Sequence, residues 1–316
     1  MPVLSSILAT IGRTPLVALD RLGAGLPGRV LLKIEYYSPG GSIKDRIALK
    51  IVEDAERRGR LRPGDTIVEL TSGNTGIGLA VVCAVKGYRL IAVMSAGNSP
   101  ERRRMLEALG ARVELVPQAD GPRPGQVSRE DLELVERRAA ELAEELGAFR
   151  ADQFSNPSNV DAHDLTTGAE IWEDTGGRVD AFATMVGTGG TFVGIARCLK
   201  RHNPAVRAYA VEPAAAPYLA GGPILGRAHK LQGAGYALRP PLWDPALCDG
   251  YLAVTDEEAI AVARDLARRE AIIAGFSTGA NVAAALRLAR EAAPGTVVVT
   301  TANDTGMKYL STDLFE

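Results

Sequence analysis

The chain has 316 residues, 46% hydrophobic and 23% charged, with a formal net charge of −2. That length and apolar content allow a full core and suit two domains, while the near-neutral balance supplies no basic field for nucleic acid or an anionic membrane surface. Its three cysteines (Cys83, Cys198, Cys248) and three histidines (His163, His202, His229) show no metal-ligand spacing, so no metal is expected.

The opening "MPVLSSILATIGRTP" has neither a basic leader nor a long apolar core, and no run reaches the ~18 apolar residues of a membrane span. No membrane association is expected, and a reducing cytoplasm is. From residue 29 onward, short apolar runs alternate with helical patterns, as in βαβ units. "RVLLKIE" (29–35), "TIVEL" (66–70), "RLIAVM" (89–94) and "RVELVP" (112–117) read as strands. "DRIALKIVEDAERRG" (45–59), "GIGLAVVCAVKG" (76–87) and "SPERRRMLEALG" (99–110) read as helices, each closing on glycine. Cys83 and Cys198 fall inside apolar helical stretches and are expected to be packing residues.

"PQADGPRPGQ" (117–126) predicts a loop. "SREDLELVERRAAELAEEL" (128–146) predicts an amphipathic helix, with Ser128 and Asp131 as its capping box. The second half repeats the alternation without repeating the sequence. "AHDLTTGAEIWEDTG" (162–176) reads as helix, "DAFATMVGTGGT" (180–191) as strand and loop, "FVGIARCLKRHN" (192–203) as helix and "RAYAVEP" (207–213) as strand. Alternation continues through "YLAVTDEEAIAVARDLARRE" (251–270), "STGANVAAALRLAREA" (277–292) and "TVVVTTAND" (296–304). The pattern predicts two α/β domains with a cleft between them, where such folds bind ligands.

Four turns that enter helices carry chemistry. In "YYSPGGSIKDR" (36–46), Lys44 follows a Pro-Gly-Gly-Ser turn. A lone lysine is ordinarily a solvated surface residue. Here Gly40, Gly41 and Ser42 permit close backbone approach, and the positive end of a helix starting near Asp45 favours a neutral amine, the form that Schiff-base chemistry needs. "TSGNTG" (71–76) crowds Thr71, Ser72, Asn74 and Thr75 at a helix N-terminus. An ordinary cap needs one such side chain, so four favour a carboxylate cradle. "GTGGT" (187–191) can turn N–H groups and two hydroxyls onto a phosphate, or can equally be a tight turn; no Walker sequence follows it. In "GFSTGAN" (275–281), Ser277 reads first as a helix cap, and in a cofactor site as a partner for a ring nitrogen.

With these turns, and with "IGRTPLV" (11–17), "NPSNVDAHDLTTGAEIW" (156–172), "HKLQGAGY" (229–236) and "DTGMKYLST" (304–312), the sequence resembles the fold-type II pyridoxal-phosphate enzymes of the cysteine synthase and cystathionine β-synthase group. The resemblance implies two three-layer α/β domains of the tryptophan synthase β-like kind, with pyridoxal 5'-phosphate in the cleft between them. The expected division is 1–149, carrying the Schiff-base lysine, and 150–316, carrying the phosphate loop, with a segment near 13–36 pairing into the other domain. It further implies that Lys44 holds the cofactor as a Schiff base and later moves the substrate's α-proton. Gly187, Thr188, Gly189, Gly190 and Thr191 would hold the phosphate, Asn74 the phenolic oxygen and Ser277 the pyridine nitrogen. Thr71, Ser72, Thr75 and Gln153 would bind the substrate α-carboxylate; Gln153, in "DQF", comes from the resemblance alone.

A hydroxyl at the ring nitrogen does not stabilise a protonated ring as a carboxylate would, which suits β-elimination. The implied activity is β-replacement on an O-activated L-serine through an aminoacrylate, foremost a cysteine synthase making cysteine and acetate from O-acetylserine and sulfide. An O-phosphoserine sulfhydrylase, a cystathionine β-synthase or a 2,3-diaminopropionate synthase would share every cofactor residue, and a dehydratase is a further enzyme alternative. The stretch of sequence, without a haem-binding or regulatory segment, disfavours a longer, regulated cystathionine synthase. A silent cofactor-binding partner protein is the non-enzyme alternative, against which Lys44 and the four turns argue. Small amino acids are the expected substrates and a homodimer the expected assembly. Two stretches depart from the family pattern: "SAGNSPER" (95–102) and "QGAGYALRPPLWD" (232–244). The latter adds Arg239, either a surface residue or a forked cation for a phosphate leaving group or an anionic acceptor.

Overall fold

The computed structural model describes residues 3–71, 73–123, 127–224, 229–231 and 233–316, with Arg129 described by its backbone. In chain order the regular elements begin with β1 (Leu16–Ala18), β2 (Arg29–Ile34), α1 (Lys44–Arg57), β3 (Thr66–Leu70), α2 (Asn74–Lys86) and β4 (Arg89–Ser95). Then come α3 (Pro100–Ala108), β5 (Arg112–Val116), α4 (Arg129–Leu146), β6 (Phe149–Arg150), α5 (Ser158–Ala162) and α6 (Gly168–Asp174). The last are β7 (Ala181–Met185), α7 (Gly190–His202), β8 (Arg207–Pro213), β9 (Gly250–Val254), α8 (Asp256–Glu270), α9 (Phe276–Glu291) and β10 (Val297–Ala302). They fall into two compact units, residues 1–11 with 38–159 and residues 12–37 with 160–316.

The first unit is built on a four-stranded parallel sheet in the order β5-β4-β3-β6. Parallel strands bury both faces, which is why "TIVEL" and "RLIAVM" read as continuous apolar runs. Val68, Leu70, Ile91 and Val93 meet Val135, Ala139 and Leu142 of α4 on one face. The alternate residues of β3, Ile67 and Glu69, are buried too. The Ser128–Asp131 capping box opens α4 as the sequence predicts, and Gly147 in the left-handed region closes it.

The second unit holds a six-stranded sheet, β1-β2-β10-β7-β8-β9, parallel except for β1 against β2. Phe182, Ala208 and Val299 pack on Phe192, Ile195 and Leu199 of α7. Ala183, Met185 and Val211 pack on Ala259, Ala263, Ala280 and Ala284 of α8 and α9. The sheet is therefore a middle layer with helices on each side. Lys33 of β2 is fully buried and tied to Asp174 at 2.8 Å, Glu170 at 3.0 Å and the Thr14 carbonyl at 2.7 Å, a paired charge of the only kind that burial tolerates.

The helix expected over 162–176 is α5 and α6 joined by a π turn, His163–Thr167. The Gly168 N–H reaches back five residues to the His163 carbonyl, and α7 lies close against this segment. A Cβ at Gly194 of α7 would stand 2.4 Å from the Val160 carbonyl oxygen.

Candidate active site

Lys44 is the first residue of α1 and half-buried. The turn before it is locked onto the helix by Asp45, fully buried, whose Oδ2 accepts the Gly40 N–H at 2.5 Å. A buried carboxylate thus holds the turn, in addition to its glycines and the positive end of the helix. The backbone of Lys44 also lies against α2: a Cβ at Gly78 would be 3.0 Å from the Lys44 carbonyl oxygen. Gly78 is one turn into the helix that Asn74 begins, so within this unit the lysine turn and "TSGNTG" stand back to back.

The "TSGNTG" loop leaves β3 and enters α2 through Gly73, whose φ of 135° is open only to glycine. Thr71 Oγ1 accepts the N–H groups of Gly73 (3.0 Å) and Gly76 (2.9 Å). One threonine thus accepts two of the N–H groups at this helix entrance. Thr75 Oγ1 donates to Gln153 Oε1 at 2.6 Å, and Gln153 Nε2 donates to the Leu70 carbonyl at 3.0 Å. Thr71, Thr75 and Gln153 therefore form one buried cluster, and Asn74 opens the helix between the two threonines. Ser72 lies outside the described residues.

Two supports of this cluster have no local signal in the sequence. Arg102, buried, lays its side chain against Gly73, so part of the departing "SAGNSPER" stretch backs the loop. Glu69, also buried, accepts the Asp152 N–H at 2.8 Å and the Gln153 N–H at 3.3 Å. Burial pushes the Glu69 carboxyl up to about 8, against the lowering pull of Arg150 and of those two N–H groups.

In the second unit, "GTGGT" links β7 to α7, with Gly189 as N-cap at φ 89° and Gly190 as the first helical residue. A Cβ at Gly187 would stand 2.4 Å from the Gly233 carbonyl oxygen, so the "QGAGY" stretch fixes this glycine from outside. Thr191 Oγ1 lies 3.2 Å from His163 Nε2, and His163 Nδ1 lies 2.9 Å from Thr167 Oγ1. The π turn thereby gives a fully buried histidine two hydroxyl neighbours, a pairing that composition and spacing do not reveal.

Ser277 is in the first turn of α9 and makes no capping bond; Gly275 is the N-cap. Its Oγ accepts instead from Asn303 Nδ2 at 3.3 Å. Asn281, one turn further on, accepts the Met185 N–H at 2.7 Å and donates to the Thr301 carbonyl at 2.8 Å. These bonds tie the strand that feeds "GTGGT" to the helix that carries Ser277.

Arg239 is exposed and lines a cavity of about 500 Å³ with Tyr218, Ile224, Trp243 and Tyr251. Neither Ser277 nor any residue of 187–191 lines it. Cys83 and Cys198 are buried, and burial pushes the Cys83 thiol up to about 12, as suits an inert packing residue. Among the described residues no group of three His, Cys, Asp or Glu side chains is placed to hold a metal ion, and no helix is long and apolar enough to cross a membrane.

A family profile described as pyridoxal-phosphate dependent enzyme matches residues 7–304. A cysteine synthase of Staphylococcus aureus is 43% identical over 311 residues, spanning 98% of this chain and 96% of its own length. An O-ureido-L-serine synthase of Streptomyces lavendulae is 45% identical over 317 aligned positions, spanning 100% and 94%. The crystal structure of an O-ureido-L-serine synthase superposes with a TM-score of 0.91 at 44% identity, covering 99% of this chain and 96% of that one. The crystal structure of O-acetylserine sulfhydrylase isoform 3 from Entamoeba histolytica superposes with a TM-score of 0.90 at 35% identity, covering 99% and 92%.

Proposed function

Because the chain belongs to the pyridoxal-phosphate dependent enzymes, we propose that it performs β-replacement on an O-activated L-serine, as a cysteine synthase. The observation that carries the reading is the pairing, within one unit, of a helix-opening lysine with a hydroxyl-rich helix entrance backed by Gln153.

The phosphate end of the cofactor fits "GTGGT" by its donors. The loop has glycine N–H groups at the start of a 13-residue helix and two threonine hydroxyls, and no carboxylate. Thr188 and Thr191 would donate to the phosphate, with His163 setting the Thr191 rotamer. Ser277, freed from capping and oriented by Asn303, would meet the ring nitrogen. Asn74 would meet the phenolic oxygen, and Lys44 Nζ would hold the carbonyl carbon. Bound there, the cofactor supplies an electron sink for the substrate's α-carbon.

The chain's own residues do the rest. Thr71, Ser72, Thr75 and Gln153 hold the α-carboxylate and so present the Cα–H bond to Lys44. Lys44 Nζ, acting as the base once the substrate is bound, would take the α-proton and later return it. Between those transfers the β-carbon would lose acetate with its C–O electron pair and gain hydrosulfide, the proton shed by hydrogen sulfide leaving with the acetate. Asp45 braces the turn by accepting the Gly40 N–H, and Lys44 is the base.

A second reading follows from the 45% identical O-ureido-L-serine synthase: the same donor chemistry, with the oxygen of a hydroxyurea as nucleophile. In either case we place the enzyme in the cytoplasm as a homodimer acting on small amino acids. The test is a matrix of donors (O-acetylserine, O-phosphoserine, serine) against acceptors (sulfide, homocysteine, hydroxyurea, an amine), scored by product mass. Cysteine from O-acetylserine and sulfide as the fastest product supports the first reading, and O-ureidoserine the second. No amino-acid product from any pair overturns both.

A further inference from the structure

Glu69 is the sole charged residue of a strand otherwise written "TIV-L", and only 1% of its surface is exposed. Its neighbours Val68 and Leu70 show what ordinary packing asks of that strand. Its carboxyl faces the cation of Arg150 and the anion of Asp152, and desolvation outweighs the help it receives, as its raised pKa shows. A group that burial penalises in this way is costly to the fold.

Its two acceptor bonds go to consecutive N–H groups, those of Asp152 and Gln153. Asp152 has φ 49°, the left-handed region that a non-glycine residue enters only at a cost. That reversal brings the Gln153 side chain back over the end of β3. Both amide atoms of Gln153 are then committed, Oε1 to Thr75 and one Nε2 hydrogen to the Leu70 carbonyl. The second Nε2 hydrogen has a fixed direction. Asn159 Nδ2 donates to the Gln153 carbonyl at 2.7 Å and holds the loop from its other side.

We propose that Glu69 is a positioning residue for the substrate α-carboxylate, acting through the backbone of residues 152–153 on Gln153 and Thr75. This rests on the β-replacement reading, in which those two side chains hold the carboxylate. Glu69 touches no reacting atom. A glutamine in its place turns an NH2 group toward one of the two N–H donors, so one of them loses its acceptor and the left-handed turn loses a restraint.

The test compares wild type, Glu69→Gln, Gln153→Ala and the double variant, each loaded with cofactor and matched by circular dichroism. Equilibrium binding of L-alanine, which has the α-carboxylate but no leaving group, is read from the visible cofactor band; KM and kcat are measured with O-acetylserine. Glu69→Gln is expected to raise the L-alanine Kd and the donor KM about ten-fold or more, with kcat within about three-fold and cofactor retention unchanged. On the Gln153→Ala background the same change adds little, because its effect runs through Gln153. Unchanged KM and Kd in folded Glu69→Gln, or full additivity in the double variant, overturns the proposal. If Glu69→Gln does not fold, Glu69→Asp, with its carboxylate one carbon short, should show the same pattern weakened, and an unchanged KM there overturns it too. If wild type makes no product from any donor, the β-replacement reading fails, while the L-alanine affinities still judge Glu69.

Discussion

Substitutions at Gly189 separate backbone strain from electrostatics at the phosphate loop. Gly189 is the N-cap of α7 at φ 89°. An alanine there pays roughly 1–2 kcal/mol for left-handed backbone. Its Cβ would also meet the Trp243 nitrogen at 3.3 Å and the Leu242 carbonyl carbon at 3.4 Å, contacts tight enough to require a small shift. An aspartate enters that backbone region more readily than alanine. Backbone strain alone therefore ranks aspartate as the milder change. If the loop holds a phosphate the order inverts, because a carboxylate about 5 Å from one phosphate charge costs roughly 3 kcal/mol at an effective dielectric of ~20. Cofactor affinity should fall about ten-fold in Gly189→Ala and at least a further hundred-fold in Gly189→Asp. Titration of the apoenzyme, followed by the visible cofactor band, measures both, and thermal unfolding of the apo forms shows how much of the loss is strain. Equal cofactor affinity of the two variants, or tighter binding by Gly189→Asp, would refute the reasoning.

Lys44→Ala should abolish turnover and the lysine-bound cofactor band while leaving the circular dichroism spectrum unchanged, since a half-buried helix-opening residue carries little of the core; measurable β-replacement in that variant would remove Lys44 from its role. Arg239→Ala tests a cation that lines a cavity to which neither "GTGGT" nor Ser277 contributes. Its kcat/KM should change by the same small factor for O-acetylserine and O-phosphoserine, and a selective loss of roughly ten-fold or more with O-phosphoserine would instead mean that the guanidinium reads the leaving group. Glu69 has its folded pKa raised to about 8 from 4.5. Its contribution to stability is thus fully present below about pH 4.5 and is lost as pH rises to about 8, because only the unfolded chain ionises freely in between. Urea unfolding at several pH values should show wild type losing stability across that window relative to Glu69→Gln, and parallel curves would contradict the pKa.

What the sequence by itself determined is local. Each of the four chemical turns is short and opens a helix, so periodicity, capping chemistry and glycine spacing expose it without any knowledge of neighbours. The α4 capping box was readable for the same reason, since all its partners lie within four residues. Tertiary structure decided which groups support those turns. Glu69 meets Gln153 across 84 residues, His163 meets Thr191 across 28, and Asn303 meets Ser277 across 26. No local pattern marks such partners, because a hydrogen bond between distant residues depends on where strands and helices pack. The π turn belongs with them: its sequence reads as plain helix, and the turn packs against α7 from far along the chain. So does the place of β2, which lies beside β10 because parallel pairing needs a partner that the far end of the chain supplies. Ser277 shows the division within one residue. Its hydroxyl was legible as a helix cap, yet Gly275 takes the N-cap position and Asn303 claims the oxygen, and only packing could settle that competition.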